Sequence, residues 1–206
     1  MKRFFLVGLS LFFSINSLAA QEGRFVQKDN IFPRVEIVTS MGSITVELDR
    51  SRAPITVNNF LTYVSDKSYQ GSVFHRIERD IENERDFVIQ GGGYDKDYDG
   101  LHENDPIFNE SGNGLKNDMY SIAMAYQDRE PHSGTRQFFF NMDNNDHLNP
   151  NKDWGFAVFG NVMDGYDTLD KIMTVETGFN EKIGYDFVPK TPVVILNIKL
   201  LEQTPL

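Results

Sequence analysis

Two neighbouring stretches of the chain alternate apolar residues with other residues at a period of two. The first covers residues 35–39 (VEIVT), the second covers residues 44–48 (ITVEL), and Met41-Gly42 separates them. Successive side chains of a β-strand point to opposite faces, so this period is typical of a strand with one buried face. Two such runs across a short glycine-containing break predict a β-hairpin.

The next stretch has the periodicity of a helix. It begins with Pro54, which suits a first helical turn because its missing N–H would be unpaired there. Apolar residues then recur at the spacing i, i+3, i+4 and i+7, at Val57, Phe60, Leu61 and Val64. This spacing gives one apolar face and predicts a helix that ends near residues 65–67.

The rest of the chain consists of short apolar runs between polar loops that are rich in Asp, Asn and Gly. The runs cover residues 72–77, 87–90, 121–125, 137–141, 156–159 and 193–201. A second short helix is expected over residues 166–172. Many short strands with two helices indicate a mainly β protein with a closed or nearly closed antiparallel sheet.

The beginning of the chain has the pattern of a secretory signal peptide. Lys2 and Arg3 precede an apolar run over residues 4–13, and small residues follow up to Ala19 and Ala20. The run is too short for a comfortable membrane span, so we expect cleavage after Ala19 or Ala20. An uncleaved membrane anchor is the alternative. The expected organisation is a signal peptide over residues 1–20, a short and poorly ordered lead-in over 21–33, and one domain over 34–203.

Composition narrows the classes of function. The chain has 206 residues, a formal net charge of −10 and no cysteine. The acidic balance argues against general binding to nucleic acids or anionic membranes, which needs a basic surface. The lack of cysteine excludes disulfides, thiolate metal sites and thiol nucleophiles.

One acidic loop has a partial resemblance to a calcium-binding loop. Asp95, Asp97, Asp99 and Gly100 match its opening, but Pro106 stands where the loop needs a bidentate acid. A solvated acidic loop is the favoured interpretation, and a calcium-dependent surface protein stays open as an alternative. The four histidines do not have a short metal-ligand spacing, so no metal site is predicted.

Five short motifs stand in a fixed order along the chain. They are FHR at residues 74–76, FVIQ at 87–90, AMA at 123–125, QFF at 137–139 and AVFG at 157–160. Each motif is weak by itself. Together they resemble the cyclophilin family of peptidyl-prolyl cis-trans isomerases, and bacterial periplasmic members in particular, over nearly the whole mature chain. The resemblance implies an eight-stranded antiparallel closed β-barrel capped by two α-helices.

The resemblance also implies which residues form the site. FHR carries the catalytic arginine, Arg76, and Phe87 and Gln90 contribute to the same site. The residues implied to bind the substrate around its proline are Val88, Ala125, Tyr126, Phe139, His147, Leu148 and Phe156. The implied function is rotation of X–Pro bonds in proline-containing segments of exported proteins, in the periplasm or outside the cell. No cofactor or metal is needed, and a monomer is the expected state.

The chain departs from the family pattern at three points. Residues 77–86 (IERDIENERD) form a longer and strongly charged insertion close to the expected site. His147 stands in place of a tryptophan that helps to bind cyclosporin in many eukaryotic members, so we expect weak affinity for that drug. Arg136 stands where a small serine is usual. Because the insertion could cover or re-aim Arg76, a non-catalytic proline-peptide-binding module or chaperone using the same groove stays open as the alternative function.

Overall fold

Eight of the ten strands in the described part of the chain close into a barrel. The strands are β1 (Arg34–Thr39), β2 (Gly42–Leu48), β3 (Ser72–Asp80), β4 (Arg85–Asp95), β5 (Ser121–Met124), β6 (Phe138–Asn141), β7 (Ala157–Asp164), β8 (Thr177–Asn180), β9 (Tyr185–Pro189) and β10 (Val193–Leu200). The structure is a computed structural model, and it describes residues 26–80 and 85–203. The predicted signal peptide and residues 81–84 of the insertion lie outside that part of the chain.

The order of strands around the barrel is β1-β10-β3-β4-β6-β5-β7-β2, and each neighbouring pair is antiparallel. The predicted hairpin is the β1–β2 pair, in which Val35 faces Val46 and Ile37 faces Ile44 across the register. The prediction of a mainly β protein with a closed eight-stranded antiparallel barrel and two helices is confirmed.

Both predicted helices are present. Helix α1 (Pro54–Ser65) begins with its proline in the first turn, and the four apolar residues of the predicted face are buried. Helix α2 (Tyr166–Met173) ends one residue later than predicted and buries Leu169, Ile172 and Met173 against the core. No helix within the described residues is both long and apolar enough to cross a bilayer.

Aromatic side chains fill the barrel. Phe74 on β3 and Phe138 and Phe140 on β6 are fully buried, with ring centroids between 5.9 and 6.2 Å apart. Gly91 on β4 is paired with Phe74 on one side and Phe138 on the other. A Cβ at Gly91 would stand 2.6 Å from Cδ1 of Phe74. The glycine therefore leaves the room that the rings occupy.

Arg136, which stands in place of the usual serine, has a structural role. Its side chain is buried and donates 2.6 Å hydrogen bonds to the carbonyl oxygens of Ser68, Gly92 and His102. Its guanidinium also lies 5.5 Å from the ring centroid of Tyr69. Burial lowers the pKa of Arg136 below its ordinary value. Three separate segments are thus tied together by one side chain.

Two features of the fold were not anticipated. The hairpin of β8 and β9 forms a separate two-stranded sheet that packs against β3. The described end of the lead-in, residues 26–33, is held in place, although the sequence predicted poor order. Arg50 donates hydrogen bonds to three carbonyl oxygens of this segment, and the Gln27 side chain donates to the carbonyl oxygen of Leu201 at 2.8 Å.

Candidate active site

A β-bulge on β3 sets the direction of Arg76. Phe74 and Arg76 are paired with consecutive residues of β4, so His75 is an extra residue on β3. A regular strand would point residues 74 and 76 to the same face. Because the bulge shifts the alternation by one residue, Phe74 and Ile77 both face the barrel interior and Arg76 faces outward.

A small apolar cluster covers the outside of the barrel next to Arg76. We call it the outer cluster. Its buried members are Val88, Ala123, Ala125, Phe139 and Val158, and the half-buried residues that pack against them are Phe87, Leu115, Leu148 and Phe156. The alternation along β6 produces it, because Phe139 points outward between two inward-facing phenylalanines.

The strand register places Arg76 at the border of the outer cluster. Gln90 on β4 is paired with Arg76 on one side and with Phe139 on the other. Phe139 is in turn paired with Ala123 on β5. Neighbouring strands lie about 4.8 Å apart, so only one strand, or about 10 Å of sheet, separates Arg76 from Phe139.

The loops around these strands supply the other predicted residues. Ala125 and Tyr126 directly follow β5, and Phe156 directly precedes β7. The Tyr126 ring stacks on Phe156 with centroids 4.3 Å apart, and Phe156 packs edge-on against Phe139 at 5.3 Å. These contacts join the loop after β5 to the outer cluster.

His147 and Leu148 lie in a single turn of 3-10 helix (Asp146–Leu148). His147 is exposed and stacks on Phe87, with centroids 5.0 Å apart and ring planes at 11°. Leu148 packs against the outer cluster. The outer cluster, the ring contacts and the strand register therefore connect all ten predicted site residues on the outer face of the barrel wall. Their individual roles stay predictions.

Two neighbours hold the guanidinium of Arg76. Nη2 lies 2.8 Å from Oε2 of Glu78, and the centre of the guanidinium lies 5.8 Å from the ring centroid of Tyr185. Nε is buried and has no hydrogen-bond partner among the described residues. Gln90 faces Arg76 in the register, but its side-chain amide donates to Oε1 of Gln137 at 3.0 Å. The arginine is thus oriented by Glu78 and Tyr185.

The charged insertion continues the β3–β4 hairpin. Its described residues extend both strands, with residue 79 paired to 86 and residue 80 to 85. Glu78 belongs to this insertion and contacts Arg76, while Nη2 of Arg79 donates to the carbonyl oxygen of Val175 at 3.2 Å. Among the described residues of the insertion, Glu78 is the one whose side chain contacts Arg76.

His75 lies beside Arg76 but is not accessible. It is fully buried, and its ring packs against Tyr94 and Tyr185 with centroids 4.8 and 6.2 Å apart. Burial lowers the pKa of His75 to about 4. The imidazole is therefore neutral at pH 7, and the site has no acid–base chemistry from this residue.

The acidic loop is held by protein groups. Backbone N–H groups of Asp99 and Asp97 donate to Asp95 and hold its pKa below the ordinary value. Nζ of Lys182 lies 2.7 Å from Oδ1 of Asp99. Within residues 26–80 and 85–203, no group of three or more His, Asp or Glu side chains could hold a metal ion.

Sequence reasoning missed two residues of the site. Glu78 was included in the insertion, but its contact with Arg76 was not foreseen. Its position two residues further along the same strand was the available signal, because such residues share a face. Tyr185 lies 109 positions after Arg76 in a hairpin without a clear period-two pattern, and nothing in the sequence connected the two.

The comparisons with known proteins agree on one family. The family model described as cyclophilin type peptidyl-prolyl cis-trans isomerase/CLD matches residues 34–200. The chain is 46% identical over 172 residues to peptidyl-prolyl cis-trans isomerase cyp18 of Streptomyces antibioticus, which covers 81% of this chain and 98% of that protein. It is 39% identical over 168 residues to peptidyl-prolyl cis-trans isomerase B of Escherichia coli (strain K12), which covers 80% of this chain and 97% of that protein.

The fold is also similar to a solved structure. A crystal structure of a cyclophilin type peptidyl-prolyl cis-trans isomerase from Cryptosporidium parvum, in the presence of the dipeptide Ala-Pro, matches with a TM-score of 0.61 and 24% identity. The match covers 82% of this chain and 99% of that one. The family model and the two relatives show that the chain belongs to the family of cyclophilin-type peptidyl-prolyl cis-trans isomerases and is an enzyme of this class. The family predicted from the five ordered motifs is confirmed.

Proposed function

We propose that the enzyme rotates X–Pro bonds in its outer groove by using Arg76 to stabilise the twisted amide. The observation that carries this proposal is the position of a held guanidinium at the border of an apolar cluster on the outside of the barrel. The cluster binds the proline ring, and Arg76 faces the amide that precedes it.

Catalysis of this rotation requires a hydrogen-bond donor that stabilises the twisted amide more than the planar one. Rotation about an amide meets a barrier of roughly 18–20 kcal/mol, because the planar C–N bond has partial double-bond character. Twisting localises the lone pair on the proline nitrogen and makes it a better hydrogen-bond acceptor. A donor fixed where this nitrogen lies favours the twisted state over both planar states, which lowers the barrier.

Arg76 has the properties of such a donor. A guanidinium offers several N–H groups in a rigid fork. The contact with Glu78 uses Nη2 and fixes the direction of the fork. The Arg76 side chain remains 31% exposed, so the guanidinium can face the amide of a bound peptide. A donor held in this way favours the twisted nitrogen, which is the better acceptor, over the planar one.

The outer cluster provides the second requirement, an apolar seat for the ring while the preceding carbonyl swings. Phe139 and Val88 are nearly buried at 4% and 5% exposure, and Leu148 packs against them from the turn after β6. Such walls exclude water and thereby strengthen the contact between Arg76 and the amide.

Exported proteins are the proposed substrates. The pattern of basic, apolar and small residues over positions 1–20 supports export to the periplasm or beyond it. Proline-containing segments of proteins that fold there are then the substrates within reach. The Cryptosporidium parvum structure obtained in the presence of Ala-Pro supports the same chemical class of ligand.

Exchange NMR on a short Ala-Pro peptide tests the proposal. We would compare wild type with Arg76→Ala and with Arg34→Ala, a control whose side chain lies on β1 and pairs with Glu47. We expect rapid exchange with wild type and with Arg34→Ala. We expect exchange at least tenfold slower with Arg76→Ala, since each tenfold corresponds to about 1.4 kcal/mol of barrier.

Circular dichroism of each variant is the control that tests whether a slow variant is still folded. A wild type that binds the peptide without speeding its exchange would contradict the proposal and favour the alternative, a proline-peptide-binding module. Equal rates for wild type and a folded Arg76→Ala would leave the isomerase in place and remove the role of the arginine.

A further inference from the structure

A row of aromatic rings leads away from the outer cluster. Phe156 packs against Phe139 at 5.3 Å and stacks on Tyr126 at 4.3 Å. Oη of Tyr126 donates to the carbonyl oxygen of Trp154 at 3.3 Å. The Trp154 ring packs edge-on against His132, with centroids 4.8 Å apart. The row therefore begins at Phe139, in the part of the outer cluster that is proposed to bind the proline ring and that we call the proline seat. It ends on the open surface at His132 and Trp154.

These rings border an open cavity of about 720 Å³. Its apolar walls are Tyr126, Pro131, Trp154 and Phe156, and we call these four residues the aromatic shelf. The charged side chains lie around the same cavity, and two of them, Asp128 and Arg129, are more than 90% exposed. An apolar floor with a charged rim is typical of a surface that binds an apolar group.

The shelf is held in place but not covered. Trp154 is 44% exposed although its ring contacts His132 and Phe108. Stacking of Tyr126 on Phe156, together with its hydrogen bond to the Trp154 backbone, fixes the shelf relative to the outer cluster. A ligand would therefore find the apolar surface already formed.

The spacing relates the shelf to the proline seat. The two ring contacts that connect Phe139 through Phe156 to Tyr126 span at most about 10 Å. An extended chain rises about 3.3 Å per residue, so two to three residues cover this distance. A substrate whose proline sits on Phe139 thus carries a neighbouring side chain to the shelf.

We propose that the aromatic shelf binds an apolar or aromatic side chain of the substrate within three residues of its proline. The enzyme then prefers proline segments with such a neighbour over segments with small or polar neighbours. This inference rests on the proposed function, because the proline seat sets the position of the neighbour. The continuity of the shelf with the outer cluster identifies the occupant as a part of the same polypeptide.

Trp154 itself provides the measurement, because it is the only tryptophan of the chain. The probes are alanine peptides with one proline and a single phenylalanine placed one, two or three residues before or after it, and the all-alanine analogue. We expect a change in tryptophan fluorescence on binding of at least one phenylalanine peptide, and a kcat/KM about tenfold above that of the analogue. Tenfold corresponds to 1.4 kcal/mol.

Three variants make the test specific. Trp154→Ala should lower the preference for phenylalanine to less than about twofold, and Trp154→Phe should keep most of it because a large ring remains. Leu196→Ala is the matched control, since Leu196 is 49% exposed on β10 and contributes nothing to the shelf. We expect it to keep the full preference.

Failure of this inference and failure of the proposed function give different results. Equal kcat/KM for all peptides in wild type, or a preference that survives Trp154→Ala, overturns the shelf and leaves the isomerase intact. A fluorescence change specific to phenylalanine peptides without faster exchange contradicts the isomerase mechanism and supports the shelf.

Discussion

The barrel interior and the outer cluster are built from alternate residues of the same strands. On β6, Phe138 and Phe140 face the interior and Phe139 faces the groove. On β4, Ile89 faces the interior and Val88 the groove. Phe138, Phe140 and Ile89 are completely buried in the interior, whereas the outer cluster includes half-buried rings at its edge. Adjacent positions of one strand are therefore expected to affect different properties, stability on one face and activity on the other.

At His75, simple alternation along the strand does not determine which face a residue occupies, because a β-bulge interrupts it. Without the extra residue, Arg76 would share the face of Phe74 and point into the barrel. With it, a charged side chain reaches the groove and the strand still supplies Ile77 to the interior. The cost of the bulge is a buried imidazole, which the β8–β9 hairpin helps to cover through Tyr185.

The largest effect is expected from an interior substitution. Phe140→Ala should lower the free energy of unfolding by about 3–5 kcal/mol, because a closed cavity remains where the ring was. Urea denaturation followed by circular dichroism measures this loss. A loss below 1 kcal/mol would contradict the assignment of Phe140 to a packed interior.

Phe139→Ala is the matched substitution on the other face. Water can enter the widened groove, so we expect mainly the transfer cost of the ring, about 1.5–3 kcal/mol. Isomerase activity should fall at least tenfold in the folded variant, since the proline ring loses its floor. If Phe140→Ala lowered the kcat/KM of the folded protein more than Phe139→Ala does, the assignment of stability to the interior face and activity to the outer face would be wrong.

The burial of His75 predicts that the free energy of unfolding depends on pH. The unfolded chain binds a proton at His75 near pH 6.5, but the folded chain binds it only near pH 4, because burial disfavours the charged form. The unfolded state therefore holds more protons between these values, and stability falls as the pH falls. The contribution is fully present above pH 6.5, and about 3 kcal/mol of it is lost by pH 4, at about 1.36 kcal/mol per unit.

Denaturation midpoints at pH 7, 5.5 and 4.5 measure this loss. His75→Phe should reduce the slope, since an apolar ring fits between Tyr94 and Tyr185 without titrating. NMR titration of the His75 ring in wild type checks the same point without a variant. A ring that titrates near pH 6.5 in the folded protein would contradict its burial beneath the hairpin.

Arg76→Lys separates charge from geometry. A lysine keeps the positive charge but lacks the rigid fork of a guanidinium. We expect a loss of about tenfold in kcat/KM, or 1.4 kcal/mol, with an unchanged free energy of unfolding. If Arg76→Lys had wild-type activity, a point charge would suffice and the role of fixed N–H donors would be wrong.

The smallest effect is expected from the contact that orients Arg76. Glu78→Gln keeps a hydrogen-bond acceptor but removes the charge, and pairs between half-exposed groups contribute at most about 1 kcal/mol. We expect a two- to threefold lower kcat with little change in KM, since the proposed role of Glu78 is to orient Arg76 and not to bind the substrate. The control is Glu47→Gln, which breaks the pair with Arg34 on β1 and β2 and should leave both constants unchanged. A change in KM alone would mean that Glu78 acts on substrate binding and does not position Arg76.

The local hydrophobic periodicity was sufficient to predict the elements that bury one face. The period-two runs predicted β1 and β2, and the four apolar residues after Pro54 predicted α1, because burial on one face imposes those periods. The number of barrel strands and the ten site residues came from the resemblance to a family. The structure brings these residues together.

The remaining features depend on which strands become neighbours. The bulge at His75 is defined by the register with β4, and no short window of sequence contains that register. The β8–β9 hairpin has no simple alternation, since Phe179 is 63% exposed and Phe187 has a φ of +61°. Tyr185 consequently could not be connected with Arg76 before the hairpin was seen against β3.

The central claim is that the proline peptide binds on the outer face of the barrel wall beside Arg76. Methyl-resolved NMR during titration with an Ala-Pro peptide tests it most directly, because methyl groups on the two faces of the same strands can be compared. We predict shifts at the methyl groups of Val88, Ala125 and Leu148 and much smaller ones at Ile89 and Ile122 in the interior. Shifts confined to the interior, or to residues far from the outer cluster, would contradict the claim.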